Sequence, residues 1–254
     1  IPAYPSMLYS NGLIDDAQRS VIQGYCDTAV RRILAGDMLG AFDTWDKMLN
    51  GDIWPYGNLF HNMTGLNDYD NYMNTDAPAS YAYGPRYVNQ PSVRSALHVN
   101  NATFNNGHQC EMHLLGDFMV SLRDQLLQLM TATSPRYKVL IYSGQLDVII
   151  GTALTSRFLA RLQWPGQYEY LSANRSVWRV HDDDKEVAGY AKSVGKFSFV
   201  VVRGAGHIVP GDQPERALDM IERFVEGRPY DNLPNPRKQR RGGSSGTGRT
   251  RKAN

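Results

Sequence analysis

Tyr137-Lys138-Val139-Leu140-Ile141-Tyr142-Ser143-Gly144-Gln145-Leu146-Asp147 and, sixty residues further on, Phe197-Ser198-Phe199-Val200-Val201-Val202-Arg203-Gly204-Ala205-Gly206-His207 decide the fold. Each begins with a short apolar run and ends in glycine, the pattern of a strand buried on both faces of a parallel sheet. Thr152 to Leu162 between them reads as a helix. After the second run, Asp212-Gln213-Pro214 opens another helix, with proline at its first turn. Ala217, Met220, Ile221, Phe224 and Val225 give that helix an apolar face, and Gly227 stops it. Strand, helix, strand, helix is an α/β pattern.

Upstream, the period changes to that of helices. Residues 16–36 place Val21, Ile22, Tyr25, Ala29, Ile33 and Leu34 at helical spacing, with Gly36 as the stop. Residues 38–50 set Leu39, Phe42, Trp45 and Leu49 on one face, 93–99 read as a short helix or turn, and 112–130 read as helix again. The segment 51–87, rich in Asn, Asp, Gly, Tyr and Pro, has no period, yet it is too aromatic for a linker and is expected to be ordered. Two strong strands are few for an open sheet. No internal repeat is present.

Charge separates the body from its end. Seven of the 27 Lys and Arg lie beyond Asn232, with no acid among them, which leaves 20 basic against 25 acidic residues before it. An acidic body is not what a nucleic-acid partner selects. Residues 231–254 read as a basic, disordered tail. No apolar run approaches the roughly 20 residues of a membrane span. Three glycosylation triplets begin at Asn62, Asn101 and Asn174 and together point to the secretory route. Cys26 and Cys110 are the two cysteines, enough for one bridge, and whether they pair is not decided by spacing. His98 and His108 lack metal-ligand spacing, so no metal is expected.

Asp147 and His207 carry the chemistry. Open α/β sheets bind ligands at the carboxyl ends of their strands, and both residues lie there. If the two strands are neighbours, a carboxylate and an imidazole meet above the sheet. That pair fixes a histidine tautomer and lets it take a proton from a hydroxyl nucleophile. The glycines before His207 permit a tight turn and close backbone approach.

The string Gly204-Ala205-Gly206-His207-Ile208-Val209-Pro210-Gly211-Asp212-Gln213-Pro214 closely resembles the histidine signature of the serine carboxypeptidases. Val139 to Asp147 resembles that family's aspartate segment, Glu186-Val187-Ala188-Gly189-Tyr190 a third segment, and Pro91-Ser92-Val93-Arg94-Ser95-Ala96-Leu97-His98-Val99 a fourth. The resemblance covers roughly residues 5–230. It is nearest to the vitellogenic carboxypeptidase-like branch through Gln145-Leu146-Asp147 and Asn101-Ala102-Thr103-Phe104-Asn105. It implies the C-terminal part of an α/β-hydrolase fold with a helical insertion. Residues 1–13 would end the N-terminal hydrolase half, 14–130 form the insertion and 131–230 the C-terminal α/β segment. It implies Asp147 as orienting carboxylate, His207 as general base, and Val148, Ile149 and Ile208 as substrate-pocket residues. The implied activity removes C-terminal residues from peptides through an acyl-enzyme, without a cofactor, in the lysosome, vacuole or secretory route. The triad order is Ser, Asp, His along the chain. The sole G-x-S-x-G match, Gly242-Gly243-Ser244-Ser245-Gly246, follows His207 and has no strand before it, so Ser244 is rejected as nucleophile. The serine is expected from an N-terminal half of the same enzyme, as the partner of this chain. Two further readings stay open: a non-catalytic hydrolase-like protein, and a carboxypeptidase-like acyltransferase.

Overall fold

A computed structural model describes residues 1–51, 53, 57–102, 104–132 and 137–231. The basic tail and Ser244 lie outside the described residues.

Four helices form a first core. They are α1 (Tyr4–Ser10), α2 (Asp16–Leu34), α3 (Met38–Trp45) and α4 (Leu59–Thr64). The start of α2 is set by a reciprocal cap: Asp15 accepts the Gln18 N–H at 2.8 Å, and the Gln18 side chain accepts the Asp15 N–H at 2.9 Å. Ile22, Cys26 and Ala29, four and three residues apart, form its buried stripe. Val21 and Leu34, expected on that stripe, are turned to solvent because they sit about a third of a turn off it. Beyond Trp45, α3 widens into a π-turn over Asp46–Asn50, closed by Gly51 at φ 71°. Phe42, Trp45, Met48 and Leu49 from this stretch pack with Tyr4, Met7, Leu8, Ile22 and Phe60.

The middle segment is more broken than its pattern suggests. After a 3₁₀ turn at Ala79–Ala82 come α5 (Tyr83–Val88), α6 (Pro91–Ala96), α7 (His108–Leu114) and α8 (Arg123–Thr131). The helix expected over 112–130 is therefore two helices, separated across Gly116 and Asp117. None of α5 to α8 has a fully buried residue, so packing does not override the breaking residues.

The α/β layer holds β1 (Val139–Gly144), α9 (Thr152–Arg161), α10 (Gln167–Ser172), β2 (Ser176–Trp178), β3 (Gly189–Val194), β4 (Phe197–Val202), α11 (Val209–Asp212) and α12 (Pro214–Glu226). The strand order is β1-β4-β3-β2. β1 and β4 are parallel neighbours, Val139 opposite Phe197 through Gly144 opposite Val202. β3 and β4 form a hairpin across Gly195-Lys196, with Gly195 at φ 57°, matching the glycine-first preference of type II′ turns. β4 is the central strand. Phe197, Phe199 and Val201 face Leu159, Leu162 and Tyr170 on one side. Val200 and Val202 face Trp178, Ala217 and Met220 on the other. Helices thus cover both faces. Ala217 and Met220 are buried as expected of α12, whereas Ile221 and Val225 are exposed. β1 lies at one edge of this mixed sheet, so Val139 to Ile141 are only partly buried and Tyr142 is exposed, unlike the strand buried on both faces of a parallel sheet that its apolar run suggests.

Candidate active site

β1 ends where the chain must pass close to another backbone. A Cβ on Gly144 would fall onto the carbonyls of Gly206 and Ala205. Beyond it, Gln145 N–H donates to Val202 O at 3.0 Å and Leu146 N–H to Ala205 O at 2.8 Å, so the aspartate loop is sewn to the histidine loop. Gly144→Ala is expected to destabilise the protein by about 1–3 kcal/mol, because backbone on both sides has to move. Urea denaturation measures it, and a change below about 0.5 kcal/mol would contradict the close approach.

These two loops bring together the residues that the sequence singled out. His207 Nδ1 lies 3.1 Å from Asp147 Oδ2. Asp147 is buried, and its other oxygen accepts the Ile150 N–H at 3.0 Å. An ionised carboxylate has no proton to offer, so Nδ1 carries the hydrogen and Nε2 is left as the free base. The His207 side chain is 40% exposed, open to a reactant while its partner is not. The hydrogen bond to Asp147 holds the imidazole pKa above its ordinary value. Partial burial opposes this, and the charges of Asp147 and Asp70 add to it.

Beside His207 opens an apolar cavity of about 540 Å³. Tyr4, Trp45, Phe118, Met119, Ile149 and Phe158 are among its lining residues. Tyr4 braces it: its hydroxyl donates to Ile149 O at 2.5 Å and accepts from Trp45 Nε1 at 3.1 Å. Of the three pocket residues implied by resemblance, Ile149 lines this cavity. Val148 is fully buried in the helical core, because its N–H is tied to Tyr69 O and its side chain turns inward. Ile208 is 40% exposed and packs near Gly211, outside the cavity lining. Tyr4, Trp45 and Phe118 were missed because they sit far upstream in helical or irregular segments.

Asn62, Asn101 and Asn174 are all exposed, as glycan acceptors must be, although Thr103 of the second triplet lies outside the described residues. Cys26 and Cys110 are both free. Cys26 is enclosed in the helical core, where burial pushes its thiol up to about 12, while Cys110 is exposed on α7. A bridge between them would need one to leave its place. No helix among the described residues is long and apolar enough to cross a membrane.

The family profile for serine carboxypeptidases matches residues 1–227. The probable serine carboxypeptidase CPVL of Mus musculus is 41% identical over 231 residues, covering 91% of this chain and 48% of that protein. The venom serine carboxypeptidase of Apis mellifera is 38% identical, covering 89% and 48%. The vitellogenic carboxypeptidase of Aedes aegypti is 32% identical, covering 87% and 46%. The crystal structure of Kex1(delta)p, a prohormone-processing carboxypeptidase from Saccharomyces cerevisiae, shares the fold, with a TM-score of 0.60 over 89% of this chain and 51% of that one, at 15% identity. The chain spans about half the length of the curated relatives it matches.

Proposed function

The chain belongs to the serine carboxypeptidase family, and from that premise we propose that it supplies the aspartate and the general base of a serine-type carboxypeptidase, whose nucleophilic serine comes from the N-terminal half of the same enzyme. One observation carries this reading. Asp147 and His207 are hydrogen-bonded at 3.1 Å at the ends of adjacent parallel strands, beside an apolar cavity of about 540 Å³. Two further features support the need for a second half. β1 leaves an edge open, and α12 keeps Leu218, Ile221 and Val225 exposed. Residues 14–130 are then the helical insertion and 131–230 the C-terminal part of the hydrolase domain. Entry into the endomembrane system, to a lysosome or vacuole or outside the cell, fits the three exposed asparagine acceptors.

The reaction follows from the groups. His207 Nε2 takes the proton of the serine hydroxyl as that oxygen attacks the scissile carbonyl. The C–N bond breaks, and the imidazolium returns its proton to the departing amine. Water, deprotonated by the same nitrogen, then attacks the ester carbonyl; the C–O bond breaks, the imidazolium returns the proton to the serine oxygen, and the shortened peptide leaves. Asp147 holds the ring and offsets its transient charge. The apolar cavity suits a hydrophobic substrate side chain.

The test uses the intact protein and an N-blocked dipeptide with a hydrophobic C-terminal residue. The expected result is release of the free amino acid, abolished by an organophosphorus reagent that labels a serine. No release and no labelling would end the proposal. Transfer of the acyl group to an added alcohol in preference to water would move the reading to an acyltransferase.

A further inference from the structure

Residues 68–74, which have no period and belong to no helix or strand, lie between the two loops of the site. The segment is folded by one carboxylate. Asp68 is 3% exposed, and its Oδ1 accepts the N–H groups of Asp70 at 2.9 Å and Asn71 at 3.2 Å. Its Oδ2 accepts the Asn74 side-chain amide at 3.0 Å. With its main chain held in that turn, the segment bonds to both loops at once. Toward the aspartate, Tyr69 O accepts the N–H groups of Val148 at 3.1 Å and Ile149 at 3.3 Å, and Tyr72 N–H donates to Leu146 O at 3.2 Å. Toward the histidine, Asp70 O accepts the N–H of His207 itself at 2.7 Å. A side-chain bolt adds to this. Asn71, 8% exposed, donates to Asp212 Oδ2 at 3.0 Å, and the same oxygen accepts the Gly206 N–H at 2.7 Å. Gly206 has to be glycine here, since a Cβ would fall onto Asp70 O and the Asn71 side chain.

The residues held are Leu146, Val148 and Ile149 around Asp147, and Gly206 and His207 themselves. From this pattern we propose that residues 68–74 are a positioning strap, in which Asp68, Asn71 and Asp212 set the two loops so that the His207 ring meets the Asp147 carboxylate. None of the three touches the reacting atoms in this arrangement. They act through His207 and Asp147. Buried carboxylate and amide groups engaged by both backbone and side-chain partners make a stiff element, because losing a partner leaves a polar group short of a hydrogen bond away from water. A displacement of about 1 Å at such a site costs on the order of 10²-fold in rate.

The inference rests on the carboxypeptidase reading for its rate effect, but not for its geometry, and the experiment separates the two. In the intact protein labelled at histidine, the His207 titration is followed by NMR in wild type, Asn71→Ala, Asp212→Ala and Asp212→Asn. Wild type and Asp212→Asn, which keeps an acceptor oxygen, are expected to titrate above the ordinary imidazole value of about 6.5. The two alanine variants are expected to fall back toward it. Their kcat is expected to drop by about 10²-fold with KM little changed. The groups facing the ring that also bear on its charge, Asp147 and Asp70, are untouched by these substitutions. If Asn71→Ala does not fold, Asp212→Ala decides alone, since Asp212 is only partly buried. An unchanged His207 midpoint in a folded alanine variant overturns the strap. A shifted midpoint in a protein that hydrolyses no peptide upholds the strap and removes the carboxypeptidase reading.

Discussion

Asp147→Asn in the intact protein is expected to lower the rate of peptide hydrolysis by about 10⁴-fold, with His207→Ala at least as severe. The reason lies in one contact. The 3.1 Å bond from Nδ1 to Asp147 Oδ2 keeps the proton on Nδ1 and the lone pair on Nε2. An asparagine amide can present its NH₂ to Nδ1 instead, which holds the ring in the wrong tautomer. The pH dependence moves with it. Hydrogen bonding to Asp147 raises the His207 pKa, so the base form populates only above a value higher than about 6.5. The acid limb of the rate profile therefore lies above that value in the wild type and shifts to lower pH in Asp147→Asn. The stability contribution of the same bond has the opposite sense. It is present in full below the unfolded-state value and is lost as pH rises through the raised folded-state value. Retention of wild-type turnover by either variant would remove the substituted residue from the reaction.

Trp178→Ala is expected to cost about 3–5 kcal/mol of stability, the range for emptying a buried aromatic site. Trp178 is fully buried on β2 and packs edge-on against Tyr230 at 5.9 Å. Its indole N–H donates to Asp219 Oδ2 at 2.7 Å, and that same oxygen accepts from Arg223 Nε at 2.7 Å. Arg223 in turn donates to the carbonyls of Pro229, Arg179 and Val180. The ring therefore ties β2 to α12 through a largely buried charge pair, and its loss removes one donor from that network as well as leaving a cavity. Trp178→Phe keeps most of the apolar volume and is expected to lose about 1.5–3 kcal/mol through the lost indole hydrogen bond to the charged carboxylate, whose oxygen keeps its bond from Arg223 Nε. Denaturant midpoints measured on both variants separate the two contributions. A cost below about 1 kcal/mol for Trp178→Ala would show that the site collapses freely.

What the sequence determined by itself was whatever local physics decides. Short apolar runs at 139–142 and 197–202 form strands, but only the second is buried, because β1 ends up at the sheet edge with Tyr142 exposed. An acid and a histidine just past them are at strand ends because chain connectivity puts them there. Pro214 and Gly227 bound α12 through their own dihedral preferences. Tertiary structure decided what no neighbour in sequence encodes. β2 is three residues long, and β3 alternates small and larger side chains without a continuous apolar run, so neither is marked as a strand without the partners it pairs with. The cavity joins Tyr4 to Ile149, 145 residues apart in the chain. The strap joins Asn71 to Asp212. Such hydrogen bonds depend on which polar groups from distant segments arrive within about 3 Å of each other. That is set by the packing of helices and sheet, while residues 68–74 carry no periodic signal of their own.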